Sequence, residues 1–181
     1  MIFTPTLLKG CYIVEPKILE DDRGWFVRFY CKKEFKEIGH DKEWVQLNHS
    51  FTNKKGTVRG MHFQLQPFRE IKMVKCIAGA VYDVVVDLRK DSATFLKWMG
   101  VELSAANRKM LYIPEGFAHG FQCLEDNCEL IYHHSEFYSP HAEAGIRYDE
   151  PLVKINWPMP VAMLSPRDST HPYLDENFKG I

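Results

Sequence analysis

The chain has 181 residues, a net charge of −1 and 45% hydrophobic residues, with aromatic residues at 13%. This is the composition of a globular protein long enough to bury a core without metals or disulfides. The near-neutral charge argues against nucleic-acid binding through a basic stripe. No apolar run is long enough to span a bilayer, so we expect neither a nucleic-acid nor a membrane partner.

Short segments with period-two patterning dominate the chain, as expected for β-strands. A hairpin is predicted over Ile71–Leu88, with its turn at Ala78-Gly79-Ala80. Only Lys32–Ile38 and Ser104–Arg108 have a helical pattern. The remaining predicted strands are Gly10–Ile18, Trp25–Tyr30, Trp44–Thr52, Thr57–Gln64, Lys97–Leu103, Lys109–Ile113, His119–Cys123, Cys128–Ser135 and Val153–Ile155.

Many short strands separated by turn residues predict an all-β fold, a double-stranded jelly roll or barrel with a few short helices. No linker, repeat or low-complexity segment divides the chain, so we expect one domain over residues 1–181.

The 5 cysteines indicate the redox state of the cellular compartment in which the protein is expected. An odd number without a Cys-x-x-Cys pair is typical neither of a disulfide framework nor of a zinc site. The N-terminal residues lack the pattern of a signal peptide. We therefore expect reduced thiols and a cytoplasmic protein.

The first motif that contains a candidate catalytic residue is Val58–Gln64. If it forms a regular strand, His62 and Gln64 share a face with Gly60, while Arg59 and Phe63 share the other. A glycine inside a strand is expected where another backbone approaches closely. His62 is either an interior hydrogen-bonding group or a catalytic base.

The second motif is Ile113–Phe121, in which Pro-x-Gly-x-x-His predicts a tight turn leading into a strand that begins at His119. By itself it indicates only a hairpin with a histidine at its edge. Together with His62 it resembles the two motifs of cupin barrels, in which His-x-His and a later Glu bind a metal with the second-motif His. Here Gln64 replaces the second His, and Gln is a poor transition-metal ligand. Two histidines fall short of the three protein ligands of a catalytic metal, so we expect a cupin-like barrel without a metal.

Two further segments allow both a structural and a catalytic interpretation. Tyr132 and His134 share one face of their predicted strand and His133 lies on the other; Tyr132 either packs in the core or donates a proton. Asp168 either caps a surface turn or fixes the tautomer of a catalytic imidazole.

Taken together, these segments resemble the dTDP-4-dehydrorhamnose 3,5-epimerases, which are metal-free cupin-like enzymes of nucleotide-sugar metabolism. The resemblance extends from about Gly10 to Asp168. It rests on Arg59–Gln64, Lys72–Val74, Gly79–Arg89, Ile113–Phe121, Tyr132 with Tyr138, Glu143–Arg147, Ile155–Pro158 and Leu164–Asp168, in that order.

The resemblance implies a catalytic role for four residues. His62 is similar to the base that removes the proton beside the C4 ketone, and Asp168 to its carboxylate partner. Lys72 is similar to the residue that stabilises the enolate oxygen. Tyr132 is similar to the acid that returns a proton from the opposite ring face.

The resemblance also implies a substrate-binding set and a homodimer. Tyr138 is similar to the ring that stacks on the nucleotide base, and Arg23 to a residue passed to the neighbouring subunit. Arg28 stands where the family usually has Glu, which predicts an altered nucleotide preference. Arg167 stands where Lys is usual. The other expected substrate contacts are Gln46, Asn48, Arg59, Lys72, His119 and Glu143.

The expected reaction is epimerisation at C3 and C5 of a dTDP-4-keto-6-deoxyhexose, as in dTDP-L-rhamnose biosynthesis for cell-surface polysaccharide. An imidazole is a weak base for such a carbon acid, so the enolate needs a charged donor near its oxygen, and no cofactor is required. Alternatives are an epimerase acting on one carbon, or on another nucleotide sugar. A non-catalytic sugar-binding cupin and a metal-dependent cupin oxygenase are further alternatives.

Overall fold

A computed structural model describes all 181 residues. The α-helix α1 (Lys32–Phe35) continues as a 3-10 turn over Lys36–Ile38, and α2 (Pro166–Thr170) lies near the C-terminus. The strands are β1 (Ile2–Pro5), β2 (Tyr12–Glu15), β3 (Ile18–Asp21), β4 (Gly24–Val27), β5 (Gln46–Thr52), β6 (Val58–Gln64), β7 (Lys72–Ala78), β8 (Ala80–Asp87), β9 (Trp98–Ser104), β10 (Met110–Ile113), β11 (Phe117–Cys123), β12 (Cys128–His134) and β13 (Glu143–Gly145).

The strands form two main antiparallel sheets, which confirms the predicted jelly roll. One has six strands in the order β1-β2-β10-β7-β12-β5, and the other has five in the order β13-β6-β11-β8-β9. From β5 onward the chain passes from one sheet to the other at almost every step, and only β8 and β9 are consecutive strands of the same sheet. A separate hairpin joins β3 and β4.

The main core lies between the two sheets. Val74 and Leu130 of the six-stranded sheet and Val85 and Phe121 of the five-stranded sheet are among its 14 buried residues. Each sheet is also covered on its other face, the five-stranded sheet in part by the C-terminal segment around Phe178. This cover explains why β8 is buried along almost its whole length.

The predicted hairpin over Ile71–Leu88 is wrong, because β7 and β8 belong to different sheets. Gly79 carries the chain between them with a φ of +70°, and a Cβ there would lie 2.9 Å from the sulfur of Cys128. The turn therefore crosses the sandwich where the sequence pattern suggested strand pairing.

The two predicted helical segments have different outcomes. Lys32–Ile38 is helical, as expected. Ser104–Arg108 is a turn, because the Ser104 hydroxyl accepts from the amide of Asn107 while the Asn107 side chain accepts from the amide of Ser104. Such side-chain bonds compete with helix formation.

The predicted strand Val153–Ile155 is also wrong. Lys154 has a φ of 57°, and the amides of Val153 and Lys154 both bond to the carbonyl of Glu150. These bonds close a turn and leave no extended segment. None of the helices is long and apolar enough to cross a membrane.

Candidate active site

A cavity of about 570 Å³ opens between the two sheets. Side chains from both sheets line it, so the site is made by residues far apart in sequence. Its lining includes most of the predicted site residues: Gln46, Asn48, Arg59, His62, Lys72, His119, Tyr132, Tyr138, Glu143 and Arg167.

A β-bulge in β6 places two of these residues. His62 pairs with His119 and Arg59 pairs with Phe121, so β6 has one more residue than β11 over this stretch. The extra residue reverses the alternation of faces. Arg59 therefore lines the cavity together with His62, and the predicted placement of Arg59 on the opposite face is wrong.

Gly60 lies at this bulge, and the predicted close approach of another backbone is confirmed. Its φ is +126°, and a Cβ at this position would lie 2.5 Å from Cα of Gly120 and 2.8 Å from the carbonyl oxygen of His119. Only glycine fits such a contact without a shift of the neighbouring strand. The bulge and the side chains next to it thus depend on this residue.

His62 and Asp168 are in direct contact. Nε2 of His62 lies 2.7 Å from Oδ1 of Asp168, and the amide of Gly60 donates to Oδ2 at 3.2 Å. Burial raises the pKa of Asp168, but the hydrogen bond and charge of His62, the Gly60 amide and the Arg167 guanidinium outweigh it and lower the pKa to about 2. An ionised Asp168 accepts a hydrogen bond from Nε2–H, which leaves the lone pair of His62 on Nδ1.

The start of α2 holds Asp168 in place. Ser165 is the N-cap residue, and its hydroxyl accepts from the amide of Asp168 at 3.0 Å. The structural alternative for Asp168, a cap of a surface turn, is therefore wrong, since Ser165 fills that position. The Asp168 carboxylate is instead directed at β6.

Arg167 joins this pair to the rim of the cavity. Its guanidinium lies 3.3 Å from Nε2 of His62 and donates to Oε1 of Glu143 at 2.7 Å. The other oxygen of Glu143 accepts from the Tyr138 hydroxyl at 2.8 Å. One side of the cavity is therefore a continuous line of charged and polar groups.

His171, which the sequence did not point to, packs behind His62 with 5.7 Å between ring centroids. Ligand atoms of His62, Asp168 and His171 lie within 4.8 Å of one another and could approach a metal ion. The Arg167 guanidinium, however, lies 3.6 Å from the Asp168 carboxylate. A fixed cation at that distance opposes a bound metal.

Tyr132 and Lys72 line the cavity from the six-stranded sheet, across from His62 and Asp168, and lie on the adjacent strands β12 and β7. The Tyr132 hydroxyl lies 3.0 Å from the hydroxyl of Ser50. Burial raises the pKa of Tyr132 above its usual range, so the phenol keeps its proton at neutral pH.

Lys72 has a partner that sequence reasoning missed. Its ammonium lies 3.0 Å from Oε1 of Glu70, whose side chain is only 8% exposed. Burial raises the pKa of Glu70, but the hydrogen bond from His134 and the charge of Lys72 bring it below its usual range. Glu70 lies in the loop before β7, where no pattern marks it.

His119 also has a buried carboxylate beside it. Its Nε2 lies 2.9 Å from Oδ1 of Asp83, which is fully buried. Asp83 stood out in the sequence only as a polar residue within the alternating pattern of β8. The cavity thus holds a second imidazole–carboxylate pair deeper in the barrel.

Two predicted site residues lie away from the cavity in this chain. Arg23 is at the turn of the β3–β4 hairpin, with its side chain 89% exposed and paired with Asp21 at 2.6 Å. Arg28 pairs with Glu34 at 3.0 Å. The structure of one chain does not bring either residue to the other members of the site.

Comparison with known proteins identifies relatives over almost the whole chain. A family model described as dTDP-4-dehydrorhamnose 3,5-epimerase matches residues 5–176. A dTDP-4-dehydrorhamnose 3,5-epimerase of Shigella flexneri is 47% identical over 164 residues, covering 90% of each chain. A dTDP-4-dehydrorhamnose 3-epimerase of Streptomyces niveus is 38% identical and covers 93% of this chain and 81% of that protein.

Solved structures of named epimerases are similar to this chain over most of its length. A dTDP-4-dehydrorhamnose 3,5-epimerase from Elizabethkingia anophelis has a TM-score of 0.94 and 39% identity, covering 98% of both chains. A dTDP-6-deoxy-D-glucose-3,5-epimerase from Legionella pneumophila, in complex with dTDP-4-keto-L-rhamnose, has a TM-score of 0.87 and 39% identity, covering 92% of this chain and 89% of that one.

Fold, cavity and comparisons together define a cupin-like jelly-roll isomerase. More narrowly, the chain belongs to the dTDP-4-dehydrorhamnose 3,5-epimerase family.

Proposed function

We propose that this protein, acting as one domain over residues 1–181, epimerises C3 and C5 of a dTDP-4-keto-6-deoxyhexose. The observation that carries the proposal is the contact of Asp168 in α2 with His62 on the five-stranded sheet, together with Tyr132 and Lys72 on the six-stranded sheet across the cavity. Epimerisation needs a base on one face of a sugar ring and an acid on the opposite face. The two sheets of the jelly roll supply these groups from opposite sides.

The first step is proton removal by His62. Nδ1 takes the proton from the carbon beside the C4 ketone, the C–H electrons form a carbon–carbon double bond, and the carbonyl electrons move to the oxygen. Asp168 holds the Nε2 proton and stabilises the imidazolium that forms. Lys72 donates to the enolate oxygen, and losing one such donor typically costs about 100–1000-fold in rate.

The second step is proton return from Tyr132. The phenol donates to the same carbon from the opposite face, the double bond supplies the electron pair, and the ketone is restored. The configuration at that carbon is thereby inverted. The imidazolium of His62 then releases its proton to solvent and the phenolate of Tyr132 takes one up, after which the same groups act at the second carbon.

The remaining residues bind the nucleotide sugar. Tyr138, 52% exposed at the rim, stacks on the nucleotide base, and Arg59 and Arg167 supply positive charge for the diphosphate. Further contacts come from Gln46, Asn48, His119 and Glu143.

A homodimer completes the site, because Arg23 is exposed on the β3–β4 hairpin and can reach a neighbouring subunit. Arg28 lies on the same N-terminal segment and adjusts nucleotide preference. The five free cysteines support a reducing cytoplasm as the place of action.

A second function is an epimerase acting at one carbon alone; the 38%-identical relative from Streptomyces niveus is named a dTDP-4-dehydrorhamnose 3-epimerase. The test is incubation with dTDP-4-keto-6-deoxyglucose, with both stereocentres followed by NMR. Inversion at both carbons supports the proposal, and inversion at one carbon supports the second function. Turnover should survive EDTA treatment; loss that one added divalent metal restores would contradict the metal-free mechanism.

A further inference from the structure

A chain of hydrogen bonds runs along the wall of the cavity that the six-stranded sheet provides. It begins at Lys72, whose ammonium contacts Oε1 of Glu70, and continues from Oε2 of Glu70 to Nδ1 of His134 at 2.6 Å. Nε2 of His134 lies 3.3 Å from Nδ2 of Asn48. The chain therefore links a proposed catalytic group to a proposed substrate-binding group through two residues with no assigned role.

The chain continues to the nucleotide end of the cavity. Oδ1 of Asn48 accepts from Nε2 of Gln46 at 3.2 Å, and Oε1 of Gln46 accepts from the backbone amide of Tyr138 at 3.0 Å. Each polar side chain in this series has a direction, because each amide donates with its nitrogen and accepts with its oxygen.

The direction of the chain fixes the tautomer of His134. Ionised Glu70 accepts a hydrogen bond from Nδ1–H, so Nε2 carries the lone pair and accepts a hydrogen bond from the amide group of Asn48. The Asn48 oxygen is then free to accept from Gln46, and the Gln46 oxygen from Tyr138. A different tautomer of His134 would require the Asn48 and Gln46 amides to turn over.

We propose that Glu70 and His134 are positioning residues that couple the sugar end of the site to the nucleotide end. Glu70 holds the ammonium of Lys72 and uses one of its three donors, which leaves the other two for the substrate. His134 holds Asn48 and, through Gln46, the backbone of Tyr138. The inference rests on the proposed function for the roles of Lys72 and Tyr138.

The burial of the pair supports a positioning role over a surface contact. The side chains of Glu70 and His134 are 8% and 11% exposed, and they meet at the cavity wall. Hydrogen bonds to charged groups in such surroundings contribute more than solvent-exposed ones. Removing one partner leaves the other buried without its bond.

The test compares two variants at one position. In His134→Ala the Lys72–Glu70 pair remains, so kcat should fall less than about 3-fold, while KM for the nucleotide sugar should rise about 10-fold, the scale of one lost hydrogen bond. His134→Gln can donate to Glu70 and accept from Asn48, and it should restore KM to within about 2-fold of wild type. Equal KM values for the two variants would overturn the proposal.

His133→Ala is the matched control. His133 neighbours His134 in β12 but lies on the opposite face, where it packs against Trp44. Its loss should lower stability without a change in KM. A KM increase as large as that of His134→Ala would mean that general loosening of β12, and not the hydrogen-bonded chain, explains the effect.

A spectroscopic readout needs no turnover. The proton on Nδ1 of His134 should give a downfield, slowly exchanging NMR signal in the free wild-type protein, and Glu70→Gln should remove it. Persistence of that signal in Glu70→Gln would overturn the proposed chain. If the wild-type protein fails to convert the nucleotide sugar but the signal behaves as expected, the proposed function fails and the chain stands.

Discussion

At the scale of single residues, the orientation and tautomer of His62 depend on its 2.7 Å contact with Asp168. With its pKa lowered to about 2, the carboxylate is ionised at neutral pH. It therefore fixes one tautomer of the imidazole and offsets the charge that develops on it. This predicts that a neutral partner of the same shape is not sufficient.

Asp168→Asn tests this dependence. The amide keeps the size of the side chain and can still accept from Gly60, but it does not stabilise an imidazolium, so proton exchange should slow by about 100-fold or more. The measurement is the rate of deuterium uptake at C3 and C5. Ser169→Ala is the control: Ser169 follows Asp168 in α2 and its hydroxyl donates to the carbonyl of Pro166, so its loss should leave exchange nearly unchanged. A similar loss in both variants would contradict the electrostatic role.

Tyr132→Phe tests the acid. His62 and Lys72 remain, so the enolate still forms and deuterium should still enter from the His62 side, while inversion at C5 falls by about 100-fold or more. Because burial raises the pKa of Tyr132, the wild-type inversion rate should not fall through loss of the phenolic proton below about pH 10. Inversion at C5 at a near wild-type rate in Tyr132→Phe would assign the acid to another residue.

At the scale of elements, period-two patterning predicted most strands, because successive side chains of a strand lie on opposite faces of its sheet and this alternation is visible in the local sequence. It missed β1 and β13, which are short edge strands, and all of β3 except Ile18, where the predicted strand Gly10–Ile18 ends. Period-two patterning cannot predict which strands pair, because the pattern of β7 and β8 is the same whether the strands pair or lie in opposite sheets. Only the three-dimensional crossing at Gly79 decides between these arrangements.

Local sequence patterns likewise predicted only part of the candidate site. His62, Lys72 and Tyr132 could be found from motifs, and the contact of Asp168 with His62 followed from the chemistry of a base and its partner. Glu70 and His171 lie in segments without a pattern, and the bulge that turns Arg59 into the cavity depends on pairing with β11. Long-range packing, which no local pattern records, set these positions.

An aromatic cluster between α1 and the six-stranded sheet makes stability sensitive to acid. The ring of His40 stacks on Trp44 with 4.4 Å between centroids and contacts the Tyr112 hydroxyl at 3.2 Å. Burial lowers the pKa of His40, and burial likewise lowers that of His133 on the other side of Trp44. Folding therefore favours their neutral forms.

The lowered pKa values of His40 and His133 make the free energy of unfolding fall in acid. Below about pH 6.5 the unfolded chain binds protons that the folded chain excludes, so stability is present above that pH and is lost as pH falls toward the lowered pKa values. Denaturant unfolding should give a lower free energy at pH 5 than at pH 7.5. His40→Phe should show a smaller loss over the same interval, and an equal loss would show that His40 does not contribute.

At the scale of the whole molecule, the β3–β4 hairpin carries several large apolar side chains that are exposed in a single chain. Leu19, Trp25 and Phe26 are 56%, 52% and 64% exposed, although side chains of this kind are usually covered. Arg23 lies at the turn of the same hairpin. These features support a dimer in which each hairpin packs on the partner and delivers Arg23 to its site.

Mixing two defective variants tests this exchange. Arg23→Ala and His62→Ala homodimers should each be impaired, but a mixed dimer has one site with both groups intact. Co-refolding equal amounts should restore about a quarter of the wild-type sites for random pairing. No recovery after subunit exchange, or a fully active monomer by light scattering at micromolar concentration, would contradict the shared site.

In the proposed mechanism one base, His62, serves both carbons. The most direct measurement is deuterium uptake at C3 and C5 of dTDP-4-keto-6-deoxyglucose in heavy water, followed by NMR for the wild type and for His62→Ala. The wild type should exchange and invert both positions, and His62→Ala should exchange neither. Exchange that persists at either carbon in His62→Ala would contradict the account and would point to the second imidazole–carboxylate pair, His119 with Asp83, as another base.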